Sequence, residues 1–385
     1  VWYLVADIRS AADRAAGTNS FFSTENMLVA LSILAGLVLL VVGGELLVRG
    51  AASLAAAFRI SPLVIGLTVV AFGTSAPELG VSLQASFSGN GDVAVGNVLG
   101  SNIINVLLIL GLAALVAPLV VSSQLIRKDV PLMIGASLVV WWMSLDGAIA
   151  RWEGITLFVA LLIYIGYSIA SSRKESLAVQ DELEEYGTSI TGKKAMAVQV
   201  SLLIGGLVLL GIGSNLLVDG ATTVATKIGV SKLVIGLTVV AIGTSLPEMV
   251  TSVVASYRGQ RDIAVGNVVG SNLFNLLCVL GLTAAISPTP IPVSPAAIGF
   301  DIPVMVAVAL ICFPVFATGN LVRRWEGAMF VLYYVAYTAL IVLSAKGSPL
   351  TTNLQSVIAY GVVPLTLLTF AATLFVGRRT TKTIQ

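Results

Sequence analysis

Histidine is absent from this 385-residue chain, and only two cysteines occur. Without imidazole, the histidine-ligated zinc and copper sites cannot be built. Cys278 and Cys312 each lie inside an apolar run, where a thiol packs as a small hydrophobe. Charge is equally scarce, with 21 basic and 19 acidic residues making up 10% of the chain. Soluble domains carry about a quarter of their residues charged, so a chain that is 57% apolar lacks the polar surface to cover a globule in water. The basic residues stand singly or in pairs, which excludes the basic stripe of a nucleic-acid-binding protein.

What is abundant is apolar sequence, enough for ten or eleven membrane spans at about 20 residues each. Spans are expected at 29–48, 60–86, 93–117, 129–148 and 153–171, and again at 197–218, 231–256, 263–286, 298–318 and 325–344. Residues 1–25, with Asp7, Arg9, Asp13 and Arg14, are too polar to cross, and the N-terminal segment 1–28 carries no assignment. Between the two sets of five lies a charged linker, 172–196. Residues 345–385 hold a further apolar stretch, 357–376, an expected eleventh helix ending in a basic tail.

The two sets are copies. Residues 66–111 and 236–281 are identical at 28 of 46 positions, and outside that block Gly50 matches Gly220 and the RWEG at 151–154 recurs at 324–327. Five is odd, so the second copy crosses the membrane upside down, the inverted-repeat plan of many transporters. The fold class expected is an all-α polytopic membrane protein of two inverted five-helix repeats. One side of the bilayer receives 15 lysines and arginines and the other six, which puts the linker and C-terminus in the cytoplasm.

A charge at mid-bilayer costs about 3 kcal/mol, so the acids inside spans carry the information. They are Glu45, Glu78 and Glu248. Glu45 stands four residues before Arg49, a spacing that makes an ion pair along one helix. Asp92, Asp262, Asp129, Asp301, Glu153 and Glu326 sit at or just before helix starts and are expected to cap free amides. Glu78 and Glu248 end GTSAPE (73–78) and GTSLPE (243–248), equivalent positions in the two repeats. Pro77 and Pro247 break their helices and free the carbonyls of Gly73 and Gly243. Backbone freed in lipid needs a buried partner, and a hard cation is one. The hydroxyls of Thr74, Ser75, Thr244 and Ser245 complete an all-oxygen donor set suited to Na+, Ca2+ or Mg2+.

The next span in each repeat carries GNVLGSNIIN (96–105) or GNVVGSNLFN (266–275). Ser101 and Asn105 share one helix face, as do Ser271 and Asn275. The glycines allow close helix approach, and Asn97, Asn102, Asn267 and Asn272 are read as helix-to-helix hydrogen-bonding residues.

Paired GTSxPE and GNxxGSNxxN blocks in inverted halves resemble the alpha repeats of the sodium/calcium exchangers, in the cation/calcium antiporter superfamily. The resemblance spans residues 29–344. It implies an antiporter, not an enzyme, with Ca2+ and Na+ as its substrates and no resident cofactor. Glu78 and Glu248 would coordinate Ca2+ with the backbone carbonyls of Thr74 and Thr244. Ala71, Ser75, Ser101, Asn105, Ala241, Ser245, Ser271 and Asn275 would bind Na+. In some members, including the K+-dependent branch, an aspartate stands at the position of Asn275, so its asparagine speaks against K+ cotransport. The linker is too short for the regulatory calcium-binding domains of animal exchangers.

Charge counting gives an exchange logic: one Ca2+ or two Na+ neutralise two glutamates, so the loads exclude each other. The expected mechanism is alternating access, with spans 1 and 6 sliding against the rest. Proton-coupled calcium exchange, K+-dependent exchange and a cation channel are the alternatives. A plasma or bacterial inner membrane is the expected location.

Overall fold

A computed structural model describes residues 24–58, 60–176, 193–229, 238–239, 241–346, 348 and 350–351. The N-terminal segment 1–23, most of the linker and the proposed eleventh helix at 357–376 lie outside the described residues. The first repeat comprises α1 (Thr24–Phe58), α2 (Pro62–Thr74), α3 (Ala76–Phe87), α4 (Gly91–Val116), α5 (Leu125–Asp146) and α6 (Arg151–Ser176). The second comprises α7 (Lys193–Lys227), α8 (Ala241–Thr244), α9 (Leu246–Tyr257), α10 (Arg261–Ile286), α11 (Ala297–Ala317) and α12 (Arg324–Ala345). Among these, eight are long and apolar enough to cross a membrane, and α2 with α3 forms one further span bent by 43°.

Two short ribbons fix the inverted arrangement. Leu119–Val120 (β1) pairs antiparallel with Leu321–Val322 (β4), and Ala148–Ile149 (β2) with Ile291–Pro292 (β3). The repeat relation turns the first pairing into the second. The turn after α4 therefore shares a face with the turn after α11, and the turn after α5 shares the opposite face with the turn after α10. An odd number of spans per repeat requires this.

The RWEG motif joins the repeats along the same symmetry. Arg151 donates to the carbonyl of Ser287 at 2.8 Å, and Arg324 to that of Val116 at 3.2 Å, placing a cation where a helix presents unpaired carbonyls. Glu153 and Glu326 reach back to the amides of Ala150 and Arg323, at 2.8 and 2.7 Å. Gly154 meets the backbone of α10, where an added Cβ would lie 2.6 Å from the carbonyl of Gly281. Gly327 meets α4 in the same way, 2.7 Å from that of Gly111.

Asp129 and Asp301 do not cap helix starts. α5 and α11 begin earlier, each with a π-helical turn (Leu125–Asp129 and Ala297–Asp301), so both carboxylates lie inside the helix. Asp129 accepts from the Tyr164 hydroxyl at 3.0 Å and Asp301 from that of Tyr337 at 3.2 Å. The cysteines are free and buried.

α10 is buried along its length and α4 nearly so, so these two form the centre of the core. α1 and α7, at 35 residues each, exceed the spans expected at 29–48 and 197–218. Each is roughly 52 Å long at about 1.5 Å per residue. Hydropathy truncates them because polar residues and alanine-rich ends lower the average while the helix continues. They pack antiparallel through glycines seven apart. An added Cβ on Gly36 or Gly213 would lie 2.8 Å from the other's carbonyl, and Gly43 and Gly206 face each other at 2.9 and 2.7 Å. Backbone touches backbone, so the two helices form one body, with Leu34, Val38, Val41, Ile204 and Val208 exposed on its outer faces.

Candidate cation site

Both broken helices turn at the serine of the motif. Ser75 (φ −82, ψ 5) and Ser245 (φ −90, ψ 9) leave the helical region where the proline removes a hydrogen bond. The break starts a second helix, and Glu78 and Glu248 fall in its first turn, where the helix dipole favours negative charge. Both side chains are wholly buried. Neither meets a lysine or arginine among the described residues.

The repeats bind each other's carboxylates. Ser75 donates to Glu248 Oε1 at 3.0 Å, and Ser245 donates to Glu78 Oε1 at 3.1 Å. Ser101 lies 3.5 Å from the same Glu78 oxygen and 3.3 Å from Ser245 Oγ. Thr74 donates to Asn267 Oδ1 at 3.2 Å and lies 3.3 Å from the carbonyl of Ala71, which also accepts the Ser75 amide at 3.0 Å. Asn105 donates to Asn272 Oδ1 at 3.0 Å. Asn105 and Asn275 each open a π-helical turn, Asn105–Leu110 and Asn275–Leu280, a distortion frequent at functional sites. Ala241 and Thr244 bound the short helix α8.

One oxygen of each carboxylate, Glu78 Oε2 and Glu248 Oε2, has no hydrogen-bond partner. The same holds for Asn105 Oδ1, Ser271 Oγ and both polar atoms of the Asn275 amide. Orphaned polar atoms in a core are costly, and five of these six are oxygens. The described residues hold no cluster of three or more acid, cysteine or histidine side chains, so neutral oxygens must supply most of any ligand shell. That donor chemistry fits alkali and alkaline-earth cations.

The supporting asparagines do what their spacing predicts. Asn97 binds the Glu78 carbonyl and Ser82, at 3.1 and 3.0 Å, and Asn267 binds the Glu248 carbonyl and Ser252, at 3.3 and 2.9 Å. Ser82 and Ser252, four residues after each glutamate, recur at equivalent places in the two repeats, which is their signal in the sequence. One freed carbonyl does not await a cation: that of Gly243 accepts the hydroxyl of Ser214 on α7 at 2.6 Å. The repeat mate of Ser214 is Gly44, which has no hydroxyl, so the repeat held no signal for it.

Glu45 pairs with Arg49 as its spacing predicts and also with Arg258, at 2.7 and 2.8 Å. It ties α1 to the end of α9. Gly44 lies against Val250 and Val254 of α9, whereas α7 does not pack along α3, the equivalent pair, among the described residues.

Comparison with known proteins gives a family match, two relatives and a solved structure. A family model described as "Sodium/calcium exchanger protein" matches residues 28–170 and 198–343. The sodium/calcium exchanger MaX1 of Methanosarcina acetivorans is 33% identical over 350 residues, covering 83% of this chain and 99% of its own. The inner membrane protein YrbG of Escherichia coli (strain K12) is 42% identical over 287 residues, 74% of this chain and 88% of its own. The solved structure of the sodium-calcium exchanger NCX_Mj in 2.5 mM Na+ and 0.1 mM Ca2+ matches with a TM-score of 0.70 and 30% identity, covering 81% of this chain and 98% of that one.

Proposed function

The chain belongs to the sodium/calcium exchanger family, and from that premise we propose that it exchanges Na+ for Ca2+ at one buried site between its broken helices. The observation that carries the assignment is the pair of unpartnered oxygens, Glu78 Oε2 and Glu248 Oε2, on wholly buried carboxylates. Ca2+ takes these two with the carbonyls of Thr74 and Thr244. Na+ ions take Ala71, Ser75, Ser101 and Asn105 from one repeat and Ala241, Ser245, Ser271 and Asn275 from the other. One Ca2+ or two Na+ neutralise the carboxylates; both loads together would bury net positive charge, which costs several kcal/mol. Mutual exclusion is thus built into the charge count. Titrating Ca2+ into the purified protein at rising Na+ tests it. The apparent Ca2+ affinity should fall with at least the square of Na+ concentration, and a Ca2+ affinity indifferent to Na+ would contradict the reading.

Alternating access follows from the internal symmetry. Gly73 lies against Leu207 and Gly243 against Val218, so both touch α7. Exchanging the repeats places Gly243 against Leu37 and Gly73 against Val48, both on α1. The glycine pairing sets Leu207 level with residue 42 and Val218 level with residue 31 of α1. Each exchange therefore means the same displacement of the α1–α7 body, six residues or about 9 Å at roughly 1.5 Å per residue. The described conformation closes α1 on α9; the exchanged one closes α7 on α3. By the distribution of lysine and arginine, α9 points to the cytoplasm, and the described conformation faces outward.

Sliding by about 9 Å separates Glu45 from Arg258, and the exchanged state offers only Asn215 and Ser88 in their places. The ion pair therefore favours the described state. Glu45→Gln is expected to raise the thiol-labelling rate of a cysteine at Val254, on a background lacking Cys278 and Cys312, by about two- to fivefold. A partly exposed pair is worth up to about 1 kcal/mol.

A further inference from the structure

Asn102 and Asn272 occupy equivalent positions and each donates its amide to a methionine sulfur of the opposite repeat. Asn272 Nδ2 lies 3.5 Å from Met133 Sδ, and Asn102 Nδ2 lies 3.5 Å from Met305 Sδ. All four side chains are at most 3% exposed. A thioether can only accept, so each methionine holds the NH2 end of its asparagine and turns the carbonyl end the other way. In the first half the consequence continues. Asn272 Oδ1 accepts from Asn105 Nδ2 at 3.0 Å, which leaves Asn105 Oδ1 as the free end of the chain. In the second half Asn102 Oδ1 is turned outward in the same way but accepts nothing, and both ends of the Asn275 amide are without partners.

We infer that Met133 is a positioning residue: through Asn272 it fixes which end of the Asn105 amide faces the cation, whereas Met305 holds Asn102 without reaching Asn275. The inference rests on the proposed assignment of Asn105 and Asn275 to Na+. An amide is nearly symmetric in shape, so packing alone does not decide which end points inward. A donor turned toward a cation repels it, whereas a carbonyl oxygen binds it. The thioether, itself an acceptor, excludes the flipped form because two acceptors would then face each other. The chain is closed in one half and open in the other, so Asn275 is the amide free to turn when the site loads.

The test is Na+-dependent Ca2+ exchange by the full chain in proteoliposomes, with Met133→Leu, Met133→Gln, Asn272→Ala and Asn105→Ala, and with Met305→Leu as the control. Leucine keeps the volume and removes the acceptor, so the Na+ concentration for half-maximal exchange should rise about three- to tenfold, the worth of one neutral hydrogen bond. The rate at saturating Na+ should fall by less than this. Glutamine is polar but restores an acceptor at similar reach, so it should bring the Na+ dependence back toward wild type. A packing role predicts the reverse order, with leucine tolerated and glutamine harmful, and that order would overturn the inference. Should Met133→Leu fail to fold, Asn272→Ala removes the relay one step closer to Asn105, and an unchanged Na+ dependence there overturns the inference; Met305→Leu, whose asparagine reaches no site amide, should stay near wild type. If Asn105→Ala leaves Na+ dependence unaltered, the proposed Na+ site is itself wrong and the relay falls with it. If Asn105→Ala raises the Na+ requirement and Met133→Leu does not, the relay alone is wrong.

Discussion

Glu78→Gln and Glu248→Gln should each abolish Na+-driven Ca2+ exchange. Each removes one of the two carboxylates that the described residues bring to the site, and each leaves the fold's hydrogen bonds largely in place, since the amide oxygen still accepts from Ser245 or Ser75. With one charge left, bound Ca2+ carries an uncompensated positive charge inside the membrane. Breaking such a buried pairing costs about 3–5 kcal/mol, or about two to nearly four powers of ten in Ca2+ affinity. The two variants should be equally impaired, because the repeats place the carboxylates equivalently. Radioactive-calcium uptake into vesicles, with protein level and thermal stability measured alongside, checks this. A variant that folds normally and exchanges at the wild-type rate would remove its glutamate from the site.

Gly206→Leu should be nearly as damaging by a different route. An added Cβ would lie 2.6 Å from the Leu47 amide and 2.7 Å from the Gly43 carbonyl, both backbone atoms that cannot move aside. The side chain can be accommodated only by forcing α1 and α7 apart, an overpacking cost of about 1–3 kcal/mol or more, with loss of the rigid body proposed to slide. Exchange is expected to fall at least about tenfold, with a lowered unfolding temperature in detergent. Gly205→Leu is the control. It adds the same side chain one residue earlier, where a Cβ meets nothing within 4 Å, and it should behave as wild type. Equal damage at both positions would show that α7 tolerates no bulk anywhere and that the glycine contact is not special.

The parts of this architecture legible in the sequence are those written twice or written against the cost of their surroundings. The inverted repeat shows because 28 of 46 positions survive in both copies. Glu78 and Glu248 stand out because acids are rare in an apolar chain and these two share one place in the repeat. Other features escape for physical reasons. Ser214 binds the freed Gly243 carbonyl, but its mate is a glycine, so comparing the repeats hides it. Met133 and Met305 read as apolar filling, since nothing in a sequence says that a thioether accepts a hydrogen bond. Glu45 is paired with Arg49 by its spacing, yet its bond to Arg258 spans more than two hundred residues and follows only from the packing of α1 on α9. Asp129 and Asp301 mislead because each closes an opening π-helical turn, Leu125–Asp129 or Ala297–Asp301, and so lies inside its helix and not at its start.

The central claim is that Na+ and Ca2+ compete for one pair of carboxylates and that a gradient of one drives the other. The most direct measurement is Ca2+ uptake by proteoliposomes loaded with Na+, at equal pH on both sides and without K+. Uptake should appear when external Na+ is removed, collapse when Na+ is equalised, and be unaffected by added K+ or an imposed pH gradient. Uptake that proceeds without Na+ and follows the pH gradient would contradict the account and assign the carboxylates to protons instead.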